Sequence, residues 1–226
     1  MNLSVFNKLL SKKSSLLKCI FSTLFLQILI TTCITYLLIT HKTGKKFISE
    51  IRKLNGVLFI IGLIVINIGL IFAMIQKNAS FTSRMVFFTC FSLIQSILLG
   101  IITIYLPKEV IISAMVSTCL IFFSFLMLGF LISSFNIDLS WLGIILFYAV
   151  LSMIIYQIVS MFIPESQANY KLFTTIGLIV FSLYVMYDTN QILLKYQNSD
   201  IDCVRGSLDY YLDIVNLFTL SLRNER

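Results

Sequence analysis

Residues 110–133 read VIISAMVSTCLIFFSFLMLGFLIS and contain no Asp, Glu, Lys or Arg. An apolar stretch of about 20 residues or more spans the hydrocarbon core of a bilayer, ~30 Å thick, as an α-helix. The rest of the chain repeats this pattern, since 58% of its 226 residues are hydrophobic and only 12% are charged. Soluble domains have about 25% charged residues. The sequence therefore predicts an all-α, polytopic membrane helix bundle.

Six segments of this kind are predicted to span the membrane. A seventh apolar segment, 208–222, is shorter, because its 15 residues extend only about 22 Å as an α-helix. It also contains Asp209, Asp213 and Asn216, so we expect the other helices to surround it, either as a short spanning helix or as a re-entrant hairpin. The six predicted spans are 19–39, 56–75, 85–106, 110–133, 139–163 and 172–196, within a membrane domain over 19–222 that follows a basic segment (1–18) and precedes a short tail (223–226).

The net charge of +7 comes from lysines and arginines that flank the apolar segments. Four lysines precede the first span, at positions 8, 12, 13 and 18, and further basic residues follow it. Basic residues at such positions anchor helices at the membrane surface, and no basic folded surface remains for nucleic acid. We therefore expect the lipid bilayer as a partner, no nucleic-acid binding, and a cytosolic N-terminus.

The cysteines and the single histidine do not indicate a metal or catalytic centre. The five cysteines lack Cys-x-x-Cys spacing and mostly lie in or beside apolar runs, so we interpret them as small hydrophobic residues. His41 lies in a basic loop after the first span. We expect no bound cofactor and no enzymatic activity.

Asp188 and Asp213 lie where a helix would be inside the bilayer. A carboxylate at that depth costs roughly 2.5–3.5 kcal/mol on insertion scales. Such a residue is tolerated where it faces a cavity, a partner or an ion pathway rather than lipid. These two residues are therefore the candidate functional site.

Further polar residues accompany each aspartate on the same helix face. Residues three or four apart share a face of an α-helix, and neither polar stripe can face lipid. We therefore expect the stripes to face each other, with the two carboxyl groups within hydrogen-bonding range near mid-membrane. The stripe on the sixth span consists of Tyr184, Asp188, Gln191 and Lys195, and that on the last helix of Asp209, Asp213 and Asn216.

The chemistry of such a pair is constrained by charge repulsion. Two ionised carboxylates a few ångströms apart in a poorly solvated site repel each other, so we expect Asp188 and Asp213 to share one proton over part of the physiological pH range. Loss of that proton separates the pair or places a cation between the carboxylates. Their oxygens suit a hard cation, which predicts transient Ca²⁺ binding by both residues. The alternative is a fixed hydrogen bond that ties two helices together.

Two stretches resemble the paired C-terminal signature of the transmembrane Bax-inhibitor-motif (TMBIM) family. They are MYDTNQIL at 186–193 and LDYYLDIVNLF at 208–218. Similarity to the Golgi anti-apoptotic branch, which includes poxviral members, adds FLQ at 25–27 and IGLIFA at 68–73. The resemblance covers nearly the whole chain, from residue 16 to residue 222.

The resemblance implies six helices that enclose the acidic C-terminal one. It implies a pH-sensitive Ca²⁺ leak channel of Golgi or endoplasmic reticulum membranes that lowers store calcium and inhibits apoptosis. By motif match, the proton-sharing aspartates fall on Asp188 and Asp213, while Asp200 and Asp202 would attract cations to the pathway mouth. The protein partners that it suggests are other anti-apoptotic or calcium-channel membrane proteins, and further copies of the chain.

The chain departs from the family pattern around the acidic pair. Bacterial relatives use an arginine in the second span as a latch for the aspartates, whereas here only Arg52 and Arg84 lie near that span. Gln95 stands in the third span where an acid is expected, so we interpret it as a neutral pathway ligand. Asp209 is additional and would compensate for the missing charge.

Other classes of protein fit part of the pattern. An intramembrane aspartyl protease also has a Tyr-Asp pair, as at Tyr187 and Asp188, but needs Gly-x-Gly-Asp on the partner helix, where this chain has Tyr-Leu-Asp at 211–213. A seven-span receptor is disfavoured, because the sequence has neither Asp-Arg-Tyr nor Asn-Pro-x-x-Tyr. The main alternative is a non-conducting membrane scaffold that suppresses cell death through protein–protein contacts.

Overall fold

The computed structural model describes residues 3–53, 56–76, 78–160, 166–195 and 202–225. All regular secondary structure within these ranges is α-helical, which confirms the predicted fold class. The helices are α1 (Leu3–Thr40), α2 (Lys42–Lys53), α3 (Gly56–Ile75), α4 (Phe81–Thr103), α5 (Lys108–Ser134), α6 (Ser140–Ser160), α7 (Gln167–Lys195) and α8 (Cys203–Asn224).

Five helices in the described ranges are long and apolar enough to cross a membrane. α3 adds a shorter apolar stretch, Ile61–Ile75, within a helix of 20 residues. The protein is therefore a multi-pass membrane protein, whereas the arrangement of six helices around a seventh stays a prediction. The five candidate spans are Ser14–Thr40, Phe81–Thr103, Lys108–Ser134, Ser140–Ser160 and Asn169–Leu194.

α6 shows how the apolar residues are distributed on a span. Trp141, Ile144 and Phe147 are each at least 60% exposed, while Leu142 and Leu146 are buried. Soluble proteins rarely expose apolar patches of this size. The outward-facing side of α6 is thus suited to lipid rather than to water.

α8 differs from its prediction in length. The predicted segment 208–222 lies within a helix that starts at Cys203 and ends at Asn224, so it has 22 residues and extends about 33 Å. The prediction of a helix too short to span was wrong, because the sequence was divided where the apolar run ends and the helix continues through polar residues. Its burial was predicted correctly, since no side chain from 203 to 222 is exposed.

α2 replaces the basic loop predicted between the first two spans. Its apolar residues Ile48 and Ile51 are buried, whereas Lys42, Lys45 and Lys46 are exposed. Apolar residues three positions apart fall on one helix face, and this face packs where α2 contacts α3 and α4. The basic residues hide this short pattern in an average over the segment.

The chain divides into two compact units, the first of which contains 108–202 and 212–226. In this unit α7 packs against α5 and α6. A Cβ atom on Gly129 of α5 would lie 2.6 Å from Thr189 Cβ and 2.8 Å from the Met186 carbonyl oxygen. A Cβ atom on Gly143 of α6 would lie 2.6 Å from Tyr187 Cζ. Glycine is therefore needed where α5 and α6 approach α7.

The second unit contains 17–107 and 203–211. In it α3 packs against α4, and the Ser80 hydroxyl accepts a hydrogen bond from the Ser83 amide, which starts α4 at Phe81. Two glycines in α3, Gly62 and Gly69, lie two turns apart and predict close helix packing. That prediction is wrong, because a Cβ atom on either glycine would meet no described atom within 4 Å.

Candidate functional site

The predicted acidic pair lies on α7 and α8. Asp213 is only 4% exposed, and Asp188 is half-buried. Tyr184, one helical turn before Asp188, interacts electrostatically with the carboxyl groups of both aspartates. The structure thus brings three of the predicted site residues together in one unit, with carboxyl groups contributed by two different helices. A proton shared between the two carboxyl groups stays a prediction.

Asn190 fixes α7 just beyond Asp188 and was not singled out from the sequence. Its side-chain amide donates hydrogen bonds to Ser133 Oγ (3.0 Å) and to the Ile137 carbonyl oxygen (2.8 Å). Its Oδ1 accepts a hydrogen bond from the Leu139 amide at 2.9 Å. Asn190 therefore satisfies the backbone of the α5–α6 connection, where Asn136 takes a left-handed φ of 56°. The available signal was an asparagine in an apolar helix, two residues after Asp188.

Tyr211 fixes the N-terminal half of α8 in the second unit. Its ring is fully buried, with the rings of Phe88 and Phe91 edge-on at 5.4 and 5.8 Å. Its hydroxyl forms a hydrogen bond of 2.6 Å with Thr31 Oγ1 of α1. The sequence analysis quoted this tyrosine within a motif without giving it a role. Its contacts set the position of α8 two residues before Asp213.

Gln27 links α1 to α4 through buried polar atoms. Ser92 Oγ donates a hydrogen bond to Gln27 Oε1 at 2.9 Å, and Gln27 Nε2 donates to Thr89 Oγ1 at 3.4 Å. Gln27 and Ser92 are both 0% exposed. A buried side-chain amide is costly unless it is hydrogen-bonded, so this pairing explains a glutamine in an apolar helix.

Cys19 and Cys203 form a disulfide with their Cα atoms 5.7 Å apart. The interpretation of these two cysteines as small hydrophobic residues was wrong. Their pairing could not be inferred from spacing, because they are 184 positions apart. Cys33, Cys90 and Cys119 are free and exposed. They lie in the spanning helices α1, α4 and α5.

The remaining predicted site residues lie at several places. Gln191 is buried, and its Nε2 atom donates to Asn190 Oδ1 at 3.5 Å. Asn216 is half-buried on α8, three residues after Asp213. Asp209 and Gln95 are half-buried in the second unit. Asp202 is half-buried just before α8, whereas Asp200 and the side chain of Lys195 fall outside the described residues.

The predicted metal function is limited to transient binding. Within the described ranges no three His, Cys, Asp or Glu side chains are grouped as metal ligands. A stable Ca²⁺ site uses 6–8 oxygen ligands, and a pair of carboxylates supplies too few. The arrangement therefore suits brief contact with a passing cation.

Arg84 was one of two arginines considered near the predicted latch. It is 8% exposed, and its Nε atom donates a hydrogen bond to the Met74 carbonyl oxygen near the end of α3. Because the last carbonyl groups of a helix lack partners within the helix, this contact caps α3. The side chain of Arg52 falls outside the described part of the chain.

Comparison with known proteins decides the family. The model of the family described as "Inhibitor of apoptosis-promoting Bax1" (Bax1-I) matches residues 13–224. The chain belongs to the Bax1-I family. The match contains both halves of the acidic pair and the whole of α2 to α8, so the resemblance seen in the C-terminal motifs is confirmed over nearly the full length.

Individual Bax1-I relatives come from viruses, bacteria and eukaryotes. The chain is 26% identical over 206 residues to the Golgi anti-apoptotic protein of vaccinia virus (strain Lister), covering 91% of this chain and 82% of that protein. It is 31% identical over 189 residues to the inner membrane protein YbhL of Escherichia coli (strain K12), covering 78% and 77%. It is 28% identical over 153 residues to Bax inhibitor 1 of Schizosaccharomyces pombe, covering 68% of this chain and 56% of that protein.

Proposed function

We propose that this Bax1-I protein is a pH-sensitive Ca²⁺ leak channel of intracellular membranes, gated by a proton shared between Asp188 and Asp213. One observation carries the proposal: Tyr184 interacts electrostatically with both carboxyl groups, one from α7 and one from α8. Two acidic side chains that act on the same phenol lie close together, although each is costly inside a membrane helix.

The charge of the pair links proton binding to cation binding. A carboxylate near a second carboxylate binds a proton more tightly, because the proton relieves the repulsion. When the proton leaves, the doubly negative pair either separates or attracts a cation, and carboxylate oxygens suit Ca²⁺. The flux of Ca²⁺ should therefore depend on pH in a range set by the pair rather than by either residue alone.

The names of the relatives support the cellular part of the proposal. One is a Golgi anti-apoptotic protein and another is a Bax inhibitor. We infer that this chain resides in Golgi or endoplasmic reticulum membranes, lowers the calcium content of these stores, and thereby inhibits apoptosis. Partners among other anti-apoptotic or calcium-channel membrane proteins, and self-association, belong to the same proposal.

The test is Ca²⁺ efflux from calcium-loaded liposomes that contain the purified protein, measured over a range of pH. We expect efflux above that of protein-free liposomes, with a pH dependence that Asp213→Asn abolishes while the variant remains folded. Asp138→Asn is the matched control, because Asp138 is exposed and accepts a hydrogen bond from the Ser140 amide that an asparagine can also accept.

Two results would contradict the proposal. Efflux no faster than from protein-free liposomes would refute a channel and favour the non-conducting scaffold, particularly if cells that express the protein still resist apoptosis. An unchanged pH dependence in Asp213→Asn would refute the gate while leaving the leak in place.

A further inference from the structure

The disulfide joins the starts of a spanning segment and of the helix that carries Asp213. Cys203 is the first residue of α8, and Cys19 lies near the start of the span Ser14–Thr40. Asp213 follows Cys203 by ten residues, about 15 Å along the helix. A covalent bond at this place therefore limits how far α8 can move relative to α1 within the second unit.

Contacts other than the disulfide hold the same two helix ends together. Ser207 Oγ donates a hydrogen bond to the Ile20 carbonyl oxygen at 3.0 Å. The rings of Phe21 and Tyr210 stack with their centroids 5.7 Å apart. These contacts do not involve sulfur, so they persist when the disulfide is reduced. The two thiols would then stay close enough to pair again.

The surroundings of the two sulfur atoms allow exchange with small thiols. Both cysteines are half-buried rather than enclosed. The Thr23 hydroxyl lies 3.6 Å from Cys203 Sγ, and Arg205 follows Cys203 by two residues. Thiols at helix N-termini or beside cationic side chains react more readily as thiolates. This position gives Cys203 the role of the attacking thiol.

We propose that Cys19 and Cys203 form a reversible thiol–disulfide site that exchanges with low-molecular-weight thiols of the glutathione type. In the oxidising direction, the Cys203 thiolate attacks a small-molecule disulfide, forms a mixed disulfide and releases one small thiol. The Cys19 thiolate then attacks the Cys203 sulfur and releases the second. Two protein thiols and one small disulfide thus become one protein disulfide and two small thiols.

The chemistry is tested in a variant that retains only this pair, Cys33→Ala/Cys90→Ala/Cys119→Ala. The purified protein is equilibrated in buffers with different ratios of glutathione disulfide to glutathione, quenched with acid, denatured, and labelled with a maleimide carrying polyethylene glycol. We expect monomers with no label at high ratios, two labels at low ratios, and both thiols appearing together. A singly labelled species at all ratios, or a disulfide-linked dimer, would overturn the proposal.

Cys203→Ser in the same background is the matched control, and it should show one reactive thiol at every ratio after the mixed disulfide is removed. Thermal unfolding in detergent gives a second readout. Oxidation should raise the Tm of the background variant and leave the Tm of Cys19→Ser/Cys203→Ser unchanged. Equal Tm values for the oxidised and reduced background variant would show that the bond does not restrain α8, contrary to the proposal.

The effect on the leak rests on the proposed function, but the thiol measurement does not. If the pair titrates as described and liposomes show no efflux in either redox state, the proposed channel fails while the thiol–disulfide site stands. If efflux depends on pH and the thiols never pair, the thiol–disulfide site fails while the channel stands.

Discussion

The close approach of α5 and α7 at Gly129 makes a quantitative prediction for Gly129→Ala. The added methyl group would lie 2.6 Å from Thr189 Cβ and 2.8 Å from the Met186 carbonyl oxygen, whereas ordinary contact distances are 3.4–4 Å. Neither neighbour yields easily, because one is backbone and the Thr189 hydroxyl is bonded to the Val185 carbonyl oxygen at 2.7 Å. The two helices must therefore separate by about 1 Å, an overpacking that typically costs ~1–3 kcal/mol.

The higher helix propensity of alanine offsets up to about 1 kcal/mol of this cost. The net destabilisation is then about 1–2 kcal/mol, which lowers the Tm of a chain of this size by roughly 2–8 °C. The assay is the fraction of monodisperse protein that survives heating in detergent, measured by size-exclusion chromatography. Because Thr189 follows Asp188, we also expect an altered pH dependence of Ca²⁺ efflux.

Gly69→Ala is the matched control for this prediction. A Cβ atom on Gly69 would meet no described atom within 4 Å, so only the gain in helix propensity remains and the Tm should stay equal or rise. If Gly129→Ala were as stable as Gly69→Ala, the inferred contact between α5 and α7 beside Asp188 would be wrong.

Three further predictions concern residues around the acidic pair. Asn190→Ala removes three buried hydrogen bonds and should destabilise the protein by about 2–4 kcal/mol in chemical unfolding; a loss below about 0.5 kcal/mol would contradict its structural role. Tyr211→Phe keeps the ring and removes one hydrogen bond, while Thr31 still donates to the Gln27 carbonyl oxygen, so a loss of about 1 kcal/mol is expected in the same assay. Asp188→Asn/Asp213→Asn should reduce the pH dependence of efflux no further than the stronger single variant, whereas additive losses would indicate two independent sites.

The sequence predicted those features that depend on local composition. An uncharged run such as 110–133 has few alternatives to a spanning helix, and the cost of a carboxylate in lipid singled out Asp188 and Asp213. Both arguments need only the residue and its immediate neighbours. The helical class and the burial of α8 followed from them.

Features that depend on distant partners could not be predicted in this way. The Cys19–Cys203 bond joins residues 184 positions apart, and the role of Asn190 depends on backbone atoms more than 50 positions away. Close packing was assigned to Gly62 and Gly69 because small residues were regularly spaced there, although spacing does not show what lies opposite. α2 was missed because only two apolar residues, Ile48 and Ile51, define its buried face.

The most direct test of the shared proton is infrared difference spectroscopy of the carboxyl stretch during a pH titration in liposomes. From mildly acidic to mildly alkaline pH, the wild-type protein should lose one protonated-carboxyl band that is missing in Asp188→Asn/Asp213→Asn. Each single variant should shift the titration of that band or remove it. If both acids remained protonated, or both remained ionised, throughout this range, the pair would not act as a proton-controlled gate.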